Sequence, residues 1–290
     1  PLYQAQTNCT HSIYCARTNY CSVICRPGSV VVSDWLSFAS RTQSSLSSLG
    51  SFCDHQSVGT HNSAITAAYG FGVEDRFYSM ALSASYLQFN EVRTMSQYYS
   101  ITDQLNLGVR HIELDVHFFH GQLRISHCGF SVGVINYLFY FMEKMFQWFN
   151  FHYDTETIGC LPSFNGIPSE DQLLLRPVLE EIATWLNLPR NRDEIVIIYL
   201  DTSSNLIRWN KVDDLIMEFV SVLDSLLILP FDELNLQKLI AVNKRVMVVS
   251  RRVFPGGDSL FFYTNTPQTC QYPLFISIEI LHADGRSMTL

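Results

Sequence analysis

Two histidines and a pair of carboxylates are the residues of this chain whose types and spacing are best suited to chemistry. His61 stands within the segment GTHNS (59–63), His127 lies further along the chain, and Glu113 and Asp115 lie between them, two residues apart. Because the unperturbed pKa of histidine is close to neutrality, two such side chains can supply a base and an acid. Carboxylates joined by an amide oxygen suit Mg²⁺ or Ca²⁺. The set therefore predicts metal-assisted displacement at a phosphodiester.

The elements that must position these residues alternate between strand-like and helix-like runs, which is the pattern of an α/β fold. Each candidate residue falls near the carboxyl end of a predicted strand, where a parallel α/β barrel assembles its active site. Glu113 and Asp115 are predicted on one face of a strand, where two like charges need a counter-ion, and Arg110 is predicted on the other face. The predicted strands are 51–57, 111–118, 122–126, 195–201, 245–250 and 274–280, and the predicted helices are 96–107, 172–186 and 212–226.

Composition argues for a large core and against nucleic acid as a partner. The chain has 290 residues, of which 47% are hydrophobic, and its formal net charge is -8. No long basic block is present, so an anionic headgroup would have to be met by local arginine or lysine. No run of about 18 uncharged apolar residues is present either, and the sequence predicts no membrane span.

The eight cysteines favour disulfides and an oxidising compartment, because their number is even and four of them crowd the start of the chain. The rival interpretation is a zinc site, although the chain has no Cys-x-x-Cys pair. Asn8 begins an N-glycosylation sequon, and an opening at Pro1 fits a cleaved leader, so a secreted glycoprotein is expected. The cysteines are Cys9, Cys15, Cys21, Cys25, Cys53, Cys128, Cys160 and Cys270.

Two units are predicted: a Cys-rich extension over residues 1–32 and an α/β barrel over 33–290. An aromatic insertion at about 129–171, bracketed by Cys128 and Cys160, either packs on the barrel or forms a lid or a bilayer-touching helix. Six strands are few for an eight-stranded barrel, which takes about 250 residues. Later strands are therefore cryptic, or the barrel is open, or the sequence is incomplete at its C-terminus.

Three segments resemble the X-domain of phosphatidylinositol-specific phospholipase C: GTHNS (59–63), SITDQLNLGVRHIELD (100–115) and ISHC (125–128). The lead-in WLSF (35–38) and DEIVIIYLD (193–201) are similar to members that consist of the X-domain alone. The resemblance extends from about Trp35 to Arg252. It implies a distorted TIM-type (β/α)8 barrel that cleaves the glycerol–phosphate bond of phosphoinositides or of glycosylphosphatidylinositol anchors.

The resemblance also implies roles for individual residues. His61 would deprotonate the inositol 2-hydroxyl, which attacks phosphorus to give a cyclic phosphate, and His127 would protonate the leaving diacylglycerol oxygen. Arg251 and Arg252 are candidates for holding substrate phosphate, the alternative being a solvated surface pair. The implied metal ligands are Asn62, Glu113, Asp115 and Asp201, for Ca²⁺ or Mg²⁺, and the animal enzymes carry Glu in place of Asp201.

Two other functions fit the same residues. A phospholipase D of the sphingomyelinase type or a glycerophosphodiesterase shares the histidine pair and the acidic ligands on the same barrel. Glycerophosphodiesterases typically have His-Arg-Gly at the first histidine, however, whereas His61 is followed by Asn62 and Ser63. The second alternative is a secreted lipid- or glycan-binding module with little turnover. In every case a monomer that meets phospholipid peripherally at a membrane surface is expected.

Overall fold

The computed structural model describes residues 8–16, 19–47, 57–73, 75, 95–119, 121–126, 172–200, 205–264, 280–281 and 287–288. Helices and strands alternate along most of this range. In chain order they are β1 (His11–Cys15), β2 (Cys21–Cys25), α1 (Asp34–Ser47), β3 (Val58–Thr60), α2 (Ile101–Asn106), β4 (Val109–Leu114), β5 (Val116–Phe119), β6 (Gln122–Ile125), α3 (Leu175–Leu186), β7 (Val196–Leu200), α4 (Asn205–Arg208), α5 (Val212–Leu223), β8 (Leu227–Ile228), α6 (Leu236–Ala241), β9 (Val246–Ser250), β10 (Phe262–Tyr263), β11 (Ile280–Leu281) and β12 (Ser287–Met288).

A six-stranded parallel sheet is the centre of the fold, and it confirms the predicted α/β class. Its strand order is β3, β4, β7, β9 and β10, and β8 pairs with the amino-terminal half of β9 on the edge that β10 extends. Strands β3, β4, β7, β9 and β10 therefore follow chain order across the sheet, as strands do in a singly wound barrel, whereas β8 precedes β9 in the chain but lies beyond it. The described strands do not close into a barrel.

The middle strands β4, β7 and β9 form because their residues are apolar almost throughout and can be buried on both faces. Ile112, Ile198 and Val248 share one hydrophobic cluster with α3 and α5, while Ile197 and Met247 share a second cluster with α6. Each such side chain contributes about 1.5 to 3 kcal/mol when it is fully buried. The body of the molecule is thus stabilised by a core on each side of its sheet.

The region after β4 differs from the predicted strand pattern. The predicted strand 111–118 is interrupted at Asp115, where β4 ends and β5 begins. β5 pairs antiparallel with β6 in a separate two-stranded sheet, so the prediction that 122–126 forms a parallel strand is wrong. Gly121, at φ 72, provides the left-handed residue in the tight connection between them.

One predicted helix boundary is also wrong, and two predicted strands lie mostly outside the described residues. The first described strand of the parallel sheet is Val58–Thr60; of the predicted strand 51–57 only residue 57 is described, and it precedes this strand. The predicted helix 96–107 begins only at Ile101, because Ser100 caps it by accepting a hydrogen bond from the backbone N of Asp103. Of the predicted strand 274–280 only Ile280 is described, and it belongs to the short pair β11–β12.

The Cys-rich extension is a β1–β2 hairpin tied by disulfides between Cys9 and Cys25 and between Cys15 and Cys21. The predicted pairing of cysteines is confirmed for these four, and the remaining four lie outside the described residues. The extension meets the body at Gly70, where a Cβ would overlap the Tyr14 ring.

A buried carboxylate also holds the extension against the body. Asp103, at the start of α2, accepts hydrogen bonds from the backbone N atoms of Gly28 and Val30 at 2.9 and 3.0 Å. Its Oδ2 also accepts from Ser100 Oγ at 2.7 Å. This carboxylate is fully buried, and these donors replace the water that it has lost.

Helix α1 lies across the amino ends of the parallel strands. Ser44 Oγ donates to Glu194 Oε2 at 3.2 Å, and Glu194 lies just before β7. The helix matches a Ser-rich amphipathic stretch in the sequence, with Trp35 and Phe38 exposed on its outer side. Within the described ranges, none of the helices has the length and hydropathy that crossing a membrane requires.

Candidate active site

The first candidate residue lies in a tight turn directly after β3. Asn62 has φ 47, a left-handed conformation that asparagine tolerates better than most residues. The turn is joined to β4, because Ser63 N donates to Glu113 O at 3.0 Å and Glu113 N donates to Ser63 Oγ at 2.8 Å. The pairing of β3 with β4 therefore continues past the end of β3 and carries His61 to the carboxyl end of the sheet.

Glu113 brings His61 and Asn62 together. Its Oε2 accepts a hydrogen bond from Asn62 N at 2.9 Å and lies 3.7 Å from His61 Nε2. The Glu113 side chain is 4% exposed, whereas the His61 side chain is 33% exposed and reaches solvent. A carboxylate that is buried this deeply is costly unless donors or cations surround it. The arrangement sets a partly exposed imidazole against a buried anion.

The side chain of Asn62 has one unsatisfied atom. Its Nδ2 donates to Ser96 Oγ at 3.3 Å, and the residue is only 3% exposed. Its Oδ1 is buried and has no hydrogen-bond partner among the residues that the structure describes. A buried acceptor in that state costs about 1 to 3 kcal/mol. An amide oxygen next to a buried carboxylate residue is a donor set that hard divalent cations prefer.

Asp115 and Ser126 lie at the same end of the sheet. Asp115 follows the last residue of β4 and is buried, and its backbone O accepts from Ser126 N at 3.0 Å. Ser126 immediately precedes His127, which is itself outside the described residues. The hairpin of β5 and β6 thus returns the chain to the end of β4 just before the second candidate histidine.

The predicted arginines follow β9, two strands away from β4. Arg251 N donates to Leu200 O at 3.5 Å, and Leu200 is the last residue of β7, directly before Asp201. Ser250 Oγ donates to Arg252 O at 2.8 Å and so fixes the backbone where the chain leaves the strand. Arg251 is exposed to solvent at this end of the sheet.

Arg110 has a structural role near the amino end of β4. Its Nε donates to Glu194 Oε2 at 2.8 Å, and its Nη1 donates to the backbone O atoms of Leu105 and Val109. The guanidinium also lies over the Trp185 ring at 4.8 Å. Desolvation opposes ionisation of Glu194, but this arginine holds the pKa of that carboxyl below its usual value. Arg110 is therefore engaged by Glu194.

His111 occupies the sheet face of Glu113, one layer nearer the amino ends of the strands. Burial lowers its pKa to about 4, so the imidazole is neutral at pH 7. Its ring centroid lies 6.1 Å from that of Tyr199. The side chain that precedes Glu113 on the same face of the sheet is therefore uncharged at pH 7.

The rival zinc interpretation fails for the first cysteines. Cys9, His11 and Cys25 are the one group of histidine, cysteine and acidic side chains with metal-ligand spacing within the described ranges. Cys9 and Cys25 are bonded to each other, however, and a disulfide has no thiolate to offer a metal.

The described site residues therefore fall into three groups, and two further predicted residues are not described. His61, Asn62 and Glu113 are in contact, Asp115 lies at the same strand end, and Arg251 and Arg252 lie at the end of β9. His127 and Asp201 lie outside the described residues. The sequence did not predict the role of the polar residues that support the turn, because their hydrogen bonds join segments far apart in the chain. These residues are Thr60, Ser63, Ser96, Gln97 and Gln104.

Comparisons of the chain with protein-family models, with curated proteins and with solved structures find no match.

Proposed function

We propose that this protein is a metal-dependent phosphodiesterase of the phosphatidylinositol-specific phospholipase C type, on a barrel of which the parallel sheet is a part. The observation that carries the proposal is the contact of His61, Asn62 and Glu113 at the carboxyl ends of adjacent parallel strands. That end is where singly wound α/β folds gather their catalytic side chains. The chain order of β3, β4, β7, β9 and β10 across the sheet supports the same architecture.

The donor set fits a hard divalent cation, Ca²⁺ or Mg²⁺. Asn62 offers a buried amide oxygen that has no hydrogen-bond partner within the described part of the chain, and Glu113 offers a buried carboxylate. Asp115 and Asp201 are proposed to complete the set. When bound, the cation supplies neutralisation of these acids and polarisation of a phosphoryl oxygen, which the acids alone would repel.

His61 is the proposed general base. Its partly exposed imidazole takes the proton of the inositol 2-hydroxyl, and the oxygen then attacks phosphorus. The carboxylate of Glu113, 3.7 Å away, stabilises the imidazolium that forms. His127 is the proposed acid that gives a proton to the departing diacylglycerol oxygen. Arg251 and Arg252 are proposed to hold substrate phosphate.

Location and partner are part of the same proposal. The two disulfides of the extension fit a secreted protein that acts as a monomer at a phospholipid surface. Trp35 and Phe38 are exposed on α1, but this helix lies at the amino ends of the strands. Membrane contact during catalysis is therefore assigned to the opposite end, where His61 lies.

Product analysis tests the proposal. Purified protein is incubated with phosphatidylinositol vesicles and Ca²⁺, and the water-soluble phosphate is followed by ³¹P NMR. Inositol cyclic 1,2-phosphate, formed with diacylglycerol, is the expected product. Phosphatidate would instead indicate cleavage of the other ester, as by a phospholipase D. The absence of any product with Ca²⁺ or with Mg²⁺ would favour a binding module.

A further inference from the structure

The turn that carries His61 is held from one side by a single buried side chain, that of Gln104 in α2. Gln104 Nε2 donates to Ser63 O and to Tyr99 O, each at 2.8 Å. Its Oε1 accepts from Thr60 Oγ1 at 2.7 Å. The residue is 3% exposed, so both ends of its amide are used inside the protein.

Gln104 thus forms hydrogen bonds with Thr60 and Ser63, the residues on either side of His61 and Asn62. Thr60 and Ser63 are also joined directly, because Ser63 Oγ donates to Thr60 O at 2.7 Å. The same Ser63 Oγ accepts the hydrogen bond from Glu113 N at 2.8 Å. A continuous set of bonds therefore runs from Gln104 through the turn to the strand that presents Glu113.

A second amide holds the middle of the turn. Gln97 Nε2 donates to His61 O at 2.8 Å. The left-handed backbone of Asn62, at φ 47, costs about 1 kcal/mol and persists only where surrounding contacts fix it. Without these amides we expect the turn to relax to a less strained backbone, in which Asn62 N and His61 Nε2 no longer both reach Glu113 Oε2.

We propose that Gln104 is a positioning residue that fixes His61 and Asn62 relative to Glu113. This role rests on the proposed function. It acts through the backbone of the turn, because Gln104 bonds to Thr60 and Ser63 and not to the reacting groups. Misplacement by about 1 Å is enough to cost roughly 100-fold in rate.

The test compares Gln104→Met with Asn191→Leu. Both variants replace a buried amide by an apolar side chain of similar size, and Asn191 Nδ2 donates to Trp185 O at the amino ends of the strands, away from His61. In Gln104→Met we expect kcat to fall 10- to 100-fold with KM changed less than 3-fold. In Asn191→Leu we expect both constants to stay within 3-fold of wild type at equal folded fraction.

A second readout is independent of turnover. Amide hydrogen exchange at Asn62 and Ser63, followed by NMR, should accelerate at least 10-fold in Gln104→Met and stay unchanged in Asn191→Leu. Wild-type exchange and turnover in Gln104→Met would overturn the positioning role alone. Accelerated exchange with wild-type turnover would also overturn it, because the turn would then loosen without consequence. An inactive wild-type protein would overturn the proposed function, and the catalytic relevance of Gln104 with it.

Discussion

The disulfide-tied extension and the parallel-sheet body are held together by different forces. In the β1–β2 hairpin, Ile13 and Val23 are 73% and 69% exposed, and two disulfides span the strands. A two-stranded hairpin is marginal in water because it buries little apolar surface. In the body, the residues of β4 and β9 are buried throughout. The extension depends on covalent bonds, and the body depends on its core.

The described disulfides, which are sensitive to reduction, therefore lie in the extension, whereas the candidate catalytic residues lie in the body. Polar residues of the hairpin lie in solvent at little cost, whereas Asn62, Glu113 and Asp115 are buried in the body. Burial of this kind is expensive and is tolerated mainly where it serves function. The two regions meet at α2, where Asp103 binds the extension and the next residue, Gln104, binds the candidate site.

The largest effect should follow from removing the proposed base. His61→Ala should lower turnover of phosphatidylinositol by 10²- to 10⁴-fold, while the melting temperature changes little because His61 is partly exposed. His11→Ala, in the exposed hairpin, is the matched control and should leave turnover at the wild-type value. Equal losses in the two variants would contradict the assignment of chemistry to the body.

Removing one disulfide of the extension should have a smaller effect than removing the base, and the effect should be confined to the extension. The double substitution Cys9→Ser and Cys25→Ser removes the disulfide that closes a loop with sequence separation 16. A loop of that size is worth about 2 to 4 kcal/mol. Limited proteolysis should then cut between residues 8 and 29, while the body keeps its melting transition. If the body unfolds together with the extension, the separation of the two regions is wrong.

Acidification should weaken the body through His111. Burial lowers the pKa of His111 from 6.5 to about 4, so between these values the unfolded chain binds a proton that the folded protein does not. Stability should therefore fall as pH decreases from about 6.5 to about 4, by at most about 3 kcal/mol. The free energy of unfolding, measured with denaturant across this pH range, should depend less on pH in His111→Gln than in wild type. The same pH dependence in wild type and in His111→Gln would refute a buried, neutral His111.

The smallest effect concerns the junction of the two regions. Asp103→Asn keeps the size of the side chain but weakens the bonds from Gly28 N and Val30 N, which reach a charged acceptor. We expect a loss of about 1 to 2 kcal/mol. Urea unfolding measures it, with Asp213→Asn, at an exposed position of α5, as the control. A loss no larger than that of the control would mean that Asp103 does not dock the extension.

The sequence predicts the strands of the body best where burial is continuous. β7 and β9 match their predicted ranges to within one residue, because VIIYL and VMVVS are apolar enough to need no partner information. The range of β6 also matches its predicted strand to within one residue, and only its parallel direction is wrong. The alternation of polar and apolar residues in QLRI (122–125) is typical of an antiparallel strand, whereas β7 and β9 are apolar almost throughout.

The sequence predicted the polar residues of the candidate site, but it did not predict the residues that hold them in position. His61, Asn62 and Glu113 could be identified from their motifs, and the structure brings them into contact. Gln104 binds Thr60 across 44 positions of sequence, a pairing that no local pattern encodes. The unsatisfied Oδ1 of Asn62 depends on the three-dimensional packing around it, so only coordinates could reveal it.

Calorimetric titration with Ca²⁺ tests the central claim most directly, because it needs no substrate. Wild-type protein should bind the cation at one site, and Glu113→Gln and Asn62→Gly should each weaken binding at least 10-fold, while Glu218→Gln on α5 should bind like wild type. Glycine removes the amide oxygen and still tolerates the left-handed backbone at this position. The same titration with Mg²⁺ shows which ion the site prefers. Wild-type affinity in Glu113→Gln and Asn62→Gly, or no binding of either ion by the wild-type protein, would contradict the account.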